Sequence, residues 1–201
     1  MVSAAVLAGG KAARMGTDKA LIRLRGRTLL AATIAAVSTL TDDVLVVGRQ
    51  QQAADFVSAR FVPDVRPGAG ALGGIYTALS AAQHPRCIVV GCDMPFLNPR
   101  LLFYLADLSA DFDVVIPRVG GFLEPLHAVY ASTCLPPIAR LLEQGVLRIL
   151  DFFPEVRVRY VDTEEMRRFG DVSLSLFNVN TPQQLEQALA LAGRGGARID
   201  D

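Results

Sequence analysis

Short apolar runs alternate along this chain with longer segments whose apolar residues recur every three or four positions. Val2–Leu7, Val44–Val47, Ile88–Gly91 and Val114–Pro117 read as strands, as do Val156–Val161 and Ser175–Val179 further on. Thr28–Leu40, Gly73–Ala82, Pro99–Leu108, Leu135–Gln144 and Pro182–Leu191 read as helices. Two of these starts are punctuated, since Asn98 before Pro99 and Thr181 before Pro182 each place a polar cap ahead of a first-turn proline. The alternation predicts an α/β layer architecture with a largely parallel sheet, in which ligands bind at the C-terminal ends of the strands. The loop after Leu7 and the pair Cys92-Asp93 both fall at such ends. No repeat or linker interrupts the pattern. Residues 1–192 therefore read as one domain, and the glycine- and charge-rich stretch from Gly193 to Asp201 as a disordered tail.

Composition narrows the classes of partner. Of 201 residues 51% are apolar, enough for a large core, and 20 Lys and Arg balance 20 Asp and Glu. That balance leaves no global field to attract nucleic acid or an anionic membrane, so any cationic site is local. Cys87, Cys92 and Cys134 form no Cys-x-x-Cys pair and are too few for a disulfide framework, which predicts reduced, buried thiols and a cytoplasmic protein. No signal peptide is evident, and no apolar run reaches the ~20 residues of a membrane span.

The chemistry concentrates between Leu7 and Lys19, a stretch that holds three glycines, one anion and the cations Lys11, Arg14 and Lys19. A glycine-rich loop leaving a strand lets backbone N–H groups approach an anion without Cβ clashes. The cations beside it point to a polyphosphate, most simply a nucleotide. It is no Walker A loop, because Gly16 is followed by Thr17 and no glycine stands five residues before it. Asp93 follows an apolar run and enters a turn set by Pro95. A strand-end carboxylate facing a triphosphate suits Mg²⁺, which takes few protein oxygens; the plainer role is to stiffen the turn. Gly68–Gly73 also forms a G-x-G-x-x-G, with Asp93 at the spacing of a ribose-binding acid. That dinucleotide reading fails because the strand before it, Arg60–Val62, is very short, Pro63 and Pro67 intervene, and Leu7–Lys19 goes unexplained. Asn178 and Asn180, two apart on an expected extended segment, would face the same way and offer amide donors and acceptors to a pterin or a phosphate-bearing partner. Asn180 or Thr181 could instead cap the helix that follows, and for Thr181 the cap is the better reading. His127 reads as a hydrogen-bonded structural histidine, and Asp64, directly after Pro63, as a turn residue.

Leu-Ala-Gly-Gly, three residues, Arg-Met-Gly, one residue, Asp-Lys-Ala resembles the signature of the MobA-type nucleotidyltransferases. Cys92-Asp93-Met94-Pro95-Phe96 is similar to the family's second motif, and Asn178-Val179-Asn180-Thr181-Pro182 to its C-terminal one. The resemblance runs from Leu7 to Leu185 in family order. It implies a three-layer, Rossmann-like (glycosyltransferase-A-like) nucleotidyltransferase fold with a mostly parallel sheet. It further implies transfer of GMP from GTP to molybdenum-molybdopterin, with release of pyrophosphate. Leu7, Ala8, Gly9 and Gly10 would present backbone groups to the nucleotide, Arg14 and Lys19 would neutralise the triphosphate, Asp64 would contact the nucleotide, and Asp93 would hold Mg²⁺. Asn178, Asn180 and Arg148 would lie on the pterin side, and transient contacts with cofactor-biosynthesis proteins or apo-molybdoenzymes would follow. Two positions depart from the pattern: Leu147 replaces the first arginine of the family's Gly-x-Arg-Arg-Ile stretch, and Gly48 stands where the best-known members have a nucleotide-contacting asparagine. Cytidylyl or other nucleotidyl transfer to a phosphorylated acceptor, and a non-catalytic cofactor-binding adaptor, are the alternatives.

Overall fold

The computed structural model describes residues 1–8, 19–48 and 59–194. In chain order its strands are β1 Ser3–Leu7, β2 Arg23–Leu24, β3 Arg27–Thr28, β4 Val44–Gly48, β5 Arg60–Pro63, β6 Arg86–Gly91, β7 Val114–Val119, β8 Phe122–Leu123, β9 His127–Ala131 and β10 Val158–Asp162. The helices are α1 Leu29–Val37, α2 Gly70–Ala81, α3 Pro99–Leu108, α4 Leu135–Glu143, α5 Thr163–Met166, α6 Val172–Ser175 and α7 Pro182–Arg194. The main sheet has the order β10-β7-β9-β6-β1-β4-β5, and β8 adds to β7. β1 pairs in parallel with both β4 and β6, as do β4 with β5 and β7 with β10. β9 runs antiparallel to β6 and β7. The sheet is therefore mostly parallel, as the alternating pattern predicts.

Side-chain alternation divides the core into two layers. Ala4, Val6, Val44, Val46, Ile88, Val90 and Val129 face α1 and α3. Ala5, Leu7, Leu45, Val47, Val89, Ala128 and Tyr130 face α2 and α4. Each fully buried Val, Leu or Ile among them contributes on the order of 1.5–3 kcal/mol, which is why the central strands are almost continuously apolar. A smaller cluster joins Ile22 and Leu24 of the β2–β3 ribbon to Leu29, Val179 and Ala188, and so fastens α7 to the body. All three cysteines are free and buried, as expected. No helix among the described residues is long and apolar enough to cross a membrane.

Several boundaries shift for local reasons. Thr28 caps α1 through its hydroxyl instead of opening it, and Asn98 caps α3 by accepting from Arg100 N and Leu101 N. Val156 ends a 3-10 stretch over Ile149–Glu155, so the strand expected from Val156 begins at Val158. The strand expected over Ser175–Val179 is absent: Asp171 caps α6, whose last residue is Ser175, and the chain then leaves the helix irregularly. α7 continues through Gly193 to Arg194, past the point where a tail was expected to begin, and residues 195–201 lie outside the described ones. β9 is a strand the apolar pattern did not single out.

At the N-terminal edge of the sheet Asp43 accepts hydrogen bonds from Ser3 Oγ (2.5 Å), Gln83 N (2.8 Å) and Arg60 Nη2 (3.0 Å). Burial alone would raise its pKa, but these donors outweigh burial and hold the carboxyl below its usual range. The opposite edge carries the motifs.

Candidate functional site

Because β1 and β6 are adjacent and parallel, their C-terminal ends lie side by side, with Leu7 opposite Gly91. Cys92 N continues the pairing by donating to Leu7 O (3.2 Å), while Ala8 N donates to Val47 O (2.8 Å). On the other flank Gly91 N donates to Leu126 O (3.1 Å), and Val179 N donates to Asp93 O (2.9 Å). The start of the glycine-rich loop, the Asp93 turn, the turn before β9 and the asparagine segment thus meet at one sheet edge. Phe96 and Phe177, with ring centroids 6.0 Å apart, pack the Asp93 turn against the asparagine segment.

Missing side chains make room at this edge. A Cβ on Gly91 would stand 2.6 Å from Asp93 Oδ1, so the half-buried carboxylate lies against bare backbone. A Cβ on Gly74 would stand 3.0 Å from Leu7 Cδ1, so glycine there lets α2 close on the end of β1 without displacing that side chain. Gly68 and Gly70, at φ +89° and +61°, form the turn into α2 that most other residues would strain.

Asp64 Oδ1 accepts from Arg66 N and from Thr77 Oγ1, each at 2.9 Å, and so braces this turn. The turn reading of Asp64 therefore holds for Oδ1, and a ligand contact would fall to Oδ2. Asn178 Nδ2 donates to Leu176 O (3.0 Å), and Asn180 N donates to the Gln184 side chain (2.8 Å). Buried Val179 lies between the two asparagines, which are half-buried and exposed. Thr181 does cap α7, accepting from Gln184 N at 3.2 Å. Arg148 precedes the 3-10 stretch with its side chain 74% exposed and 3.7 Å from Asp151. The structure thus groups Leu7, Ala8, Asp93, Asn178 and Asn180, with Asp64 at the turn into α2. Lys19 opens a 3-10 turn over Lys19–Leu21, its side chain outside the described residues. Gly9, Gly10 and Arg14 also lie outside them.

His127 departs from expectation. It is fully buried, yet neither ring nitrogen has a hydrogen-bond partner among the described residues, and burial pushes its pKa down to about 3. Its direct partner across the ladder is Val90, so the imidazole shares the α1–α3 face with Val90 and Val129. A neutral ring packed there acts as core. Glu124, passed over in the sequence as part of a Glu-Pro-Leu-His run, is half-buried with its pKa raised by burial. Among the described residues no three His, Cys, Asp or Glu side chains gather into a metal cage. A lone strand-end carboxylate such as Asp93 is the kind of ligand used by a cation that takes few protein oxygens.

Residues 4–158 match the MobA-like NTP transferase domain. The chain belongs to the MobA-like NTP transferase family. Family membership makes it a nucleotidyltransferase, and the relatives extend the match beyond residue 158. A probable molybdenum cofactor guanylyltransferase of Pelotomaculum thermopropionicum is 37% identical over 187 residues, covering 93% of this chain and 91% of that protein. The crystal structure of molybdopterin-guanine dinucleotide biosynthesis protein A from Archaeoglobus fulgidus superposes with a TM-score of 0.84 at 32% identity, covering 96% of this chain and all of that one. A 2-C-methyl-D-erythritol 4-phosphate cytidylyltransferase from Thermus thermophilus, 22% identical with a TM-score of 0.70 over 96% of this chain and 100% of that one, shares the fold. This MobA-like chain therefore has the Rossmann-like nucleotidyltransferase architecture expected from its motifs.

Proposed function

We propose that this protein transfers GMP from GTP to molybdenum-molybdopterin, forming the guanine dinucleotide cofactor and releasing pyrophosphate. The observation that carries the reading is the junction at Asp93, bonded through neighbouring backbone to the end of β1 on one side and to the asparagine segment on the other. The names of the full-length relatives supply guanine and the molybdenum acceptor.

In this reading the triphosphate occupies the loop after β1. Leu7, Ala8, Gly9 and Gly10 offer backbone groups to the nucleotide, and Asp64 Oδ2 adds a contact near the entry to α2. Arg14 and Lys19 neutralise phosphate charge. Asp93 would hold Mg²⁺, which when bound would neutralise phosphate charge. Asn178 and Asn180 hold the pterin side, with Arg148 reaching in from the loop after α4. The terminal phosphate of the pterin attacks the α-phosphorus of GTP in line, forming a P–O bond as the bond to pyrophosphate breaks. Such transfer needs positioning and charge stabilisation more than proton transfer, and an already ionised phosphate needs no general base. The product would pass to apo-molybdoenzymes in the cytoplasm through transient contacts.

The test is incubation of purified protein with molybdenum-molybdopterin, Mg²⁺ and either GTP or CTP, followed by separation of the products. The guanine dinucleotide and pyrophosphate are expected. Product from CTP alone would make it a cytidylyltransferase, and pterin binding without any product would make it an adaptor.

A further inference from the structure

The β7–β8 hairpin and the turn after it carry two side chains that the reading above leaves unused. Gly120 and Gly121 have φ +57° and +85°, the left-handed pair that a two-residue hairpin turn requires. Val119 then pairs with Phe122 and Arg118 with Leu123, and Glu124 N carries the ladder one residue further by donating to Pro117 O (3.1 Å). Pro125 turns the chain, and His127 N closes that turn on Glu124 O (3.0 Å). Along this extended run Leu123 packs into the α2–α4 layer, so Phe122 and Glu124 stand together on the other side of the ribbon. Phe122 is 78% exposed. Glu124 is half-buried, and its carboxylate has no hydrogen-bond or ion-pair partner among the described residues. The turn it begins is tied through Leu126 O to Gly91, two residues before Asp93.

We infer that Phe122 and Glu124 seat the planar ring of the acceptor, Phe122 stacking on its face while Glu124 accepts two hydrogen bonds from its edge. An ionised carboxylate has acceptors only, so it selects an edge presenting two adjacent donors. A 2-amino-4-oxo heterocycle has such an edge, with a ring N–H beside an exocyclic NH₂. Aromatic stacking suits any flat heterocycle and supplies area without direction, so the carboxylate carries the choice. Guanine and pterin both present this edge. The sheet order separates them: the end of β1, where the glycine-rich segment begins in sequence, and the turn into α2 lie on the β1-β4-β5 side of Asp93, whereas the hairpin lies on the β9-β7 side. The seat therefore belongs to the acceptor. The inference rests on the proposed reading of that acceptor as a pterin.

The experiment compares wild-type protein, Glu124→Gln, Phe122→Ala and Phe122→Tyr, measuring the KM for molybdenum-molybdopterin and, separately, the Kd for GTP. Glu124→Gln keeps the size of the side chain but turns one acceptor into a donor. It should raise the acceptor KM by about 10–100-fold, the loss typical of a charge-assisted contact, with GTP affinity and melting temperature unchanged. Phe122→Ala should raise the same KM by about tenfold, and Phe122→Tyr should restore it. An unchanged acceptor KM in Glu124→Gln overturns the inference and leaves the proposed function standing. A rise in GTP Kd instead would mean that the seat holds guanine, which also overturns it. Wild-type protein that makes no product from GTP and molybdenum-molybdopterin removes the acceptor reading and this inference with it.

Discussion

The two halves of the sheet edge that carries the candidate site are built by opposite means. On the β1-β4-β5 side the strands are parallel, and the edge is shaped by side chains that are not there: Gly74 lets α2 close on Leu7, and Gly68 and Gly70 turn the chain into that helix. On the β9-β7 side an antiparallel strand and a hairpin project Glu124 and Phe122, while the asparagines approach from the segment before α7. Phosphate can be bound by bare backbone N–H groups, which need only the removal of Cβ atoms. A heterocycle has to be told from others, which takes side chains of definite chemistry. Asp93 stands at the seam.

The comparison breaks most completely at that seam. Asp93→Asn keeps size and turn-forming capacity but offers a neutral oxygen to a hard dication. GMP transfer should fall by more than about 10³-fold with the melting temperature nearly unchanged, and excess Mg²⁺ or Mn²⁺ should restore only part of it. Full activity in this variant would reduce Asp93 to a turn residue. Lys19→Ala tests the nucleotide half, where a loss on the order of 10²–10³ in kcat is expected if the cation meets charge developing in the transition state. A change confined to KM would assign Lys19 to ground-state binding.

Gly91→Ala sharpens the comparison, because it asks whether the seam obeys the rule of missing side chains. A Cβ there would stand 2.6 Å from Asp93 Oδ1 and push the carboxylate aside. A displacement of about 1 Å can cost on the order of 10² in rate, so kcat should drop while the fold persists. Activity equal to wild type would show that Asp93 has freedom to move.

The smallest effect concerns stability in the acceptor half. The pKa of His127 is pushed to about 3 by burial, from 6.5. The unfolded chain therefore takes up a proton below pH 6.5 that the folded protein refuses. Stability contributed by the neutral ring is complete above that pH and is lost as pH falls toward 3, at up to about 1.4 kcal/mol per pH unit. Melting curves at pH 7 and pH 5 should show wild type losing about 2 kcal/mol more than His127→Leu. Equal losses would mean that the ring finds a partner or water on protonation.

Much of this was legible beforehand where one physical cause acts locally. The buried strands β1, β4, β6 and β7 show as apolar runs because both faces are covered, and α3 shows from Asn98 and Pro99 alone. The position of Asp93 is legible because the carboxylate directly follows the apolar run of β6, whereas most of the loop after Leu7 lies outside the described residues. β9 was missed because only three residues separate it from β8 and its pairing with β6 depends on partners distant in sequence. Ser175–Val179 misled because its apolar residues serve different packing clusters: Leu176 faces one layer, while Phe177 and Val179 join the cluster under α7. Glu124 was illegible because its interest lies in half-burial without a partner, which no local pattern encodes.

The antiparallel course of β9 also bears on how the molecule assembles. β8 and β9 both fold back antiparallel on β7 across short loops, so little chain entropy is lost in closing this hairpin. The β1–β6 ladder must instead bring Ser3 to Cys87 across much of the chain. Topologies rich in such distant pairings fold slowly, and local ones fold fast. That hairpin is thus the expected early platform, with Gly91 recruited to it through Leu126. On that route the corner carrying Phe122 and Glu124 is in place before β1 and β6 have met.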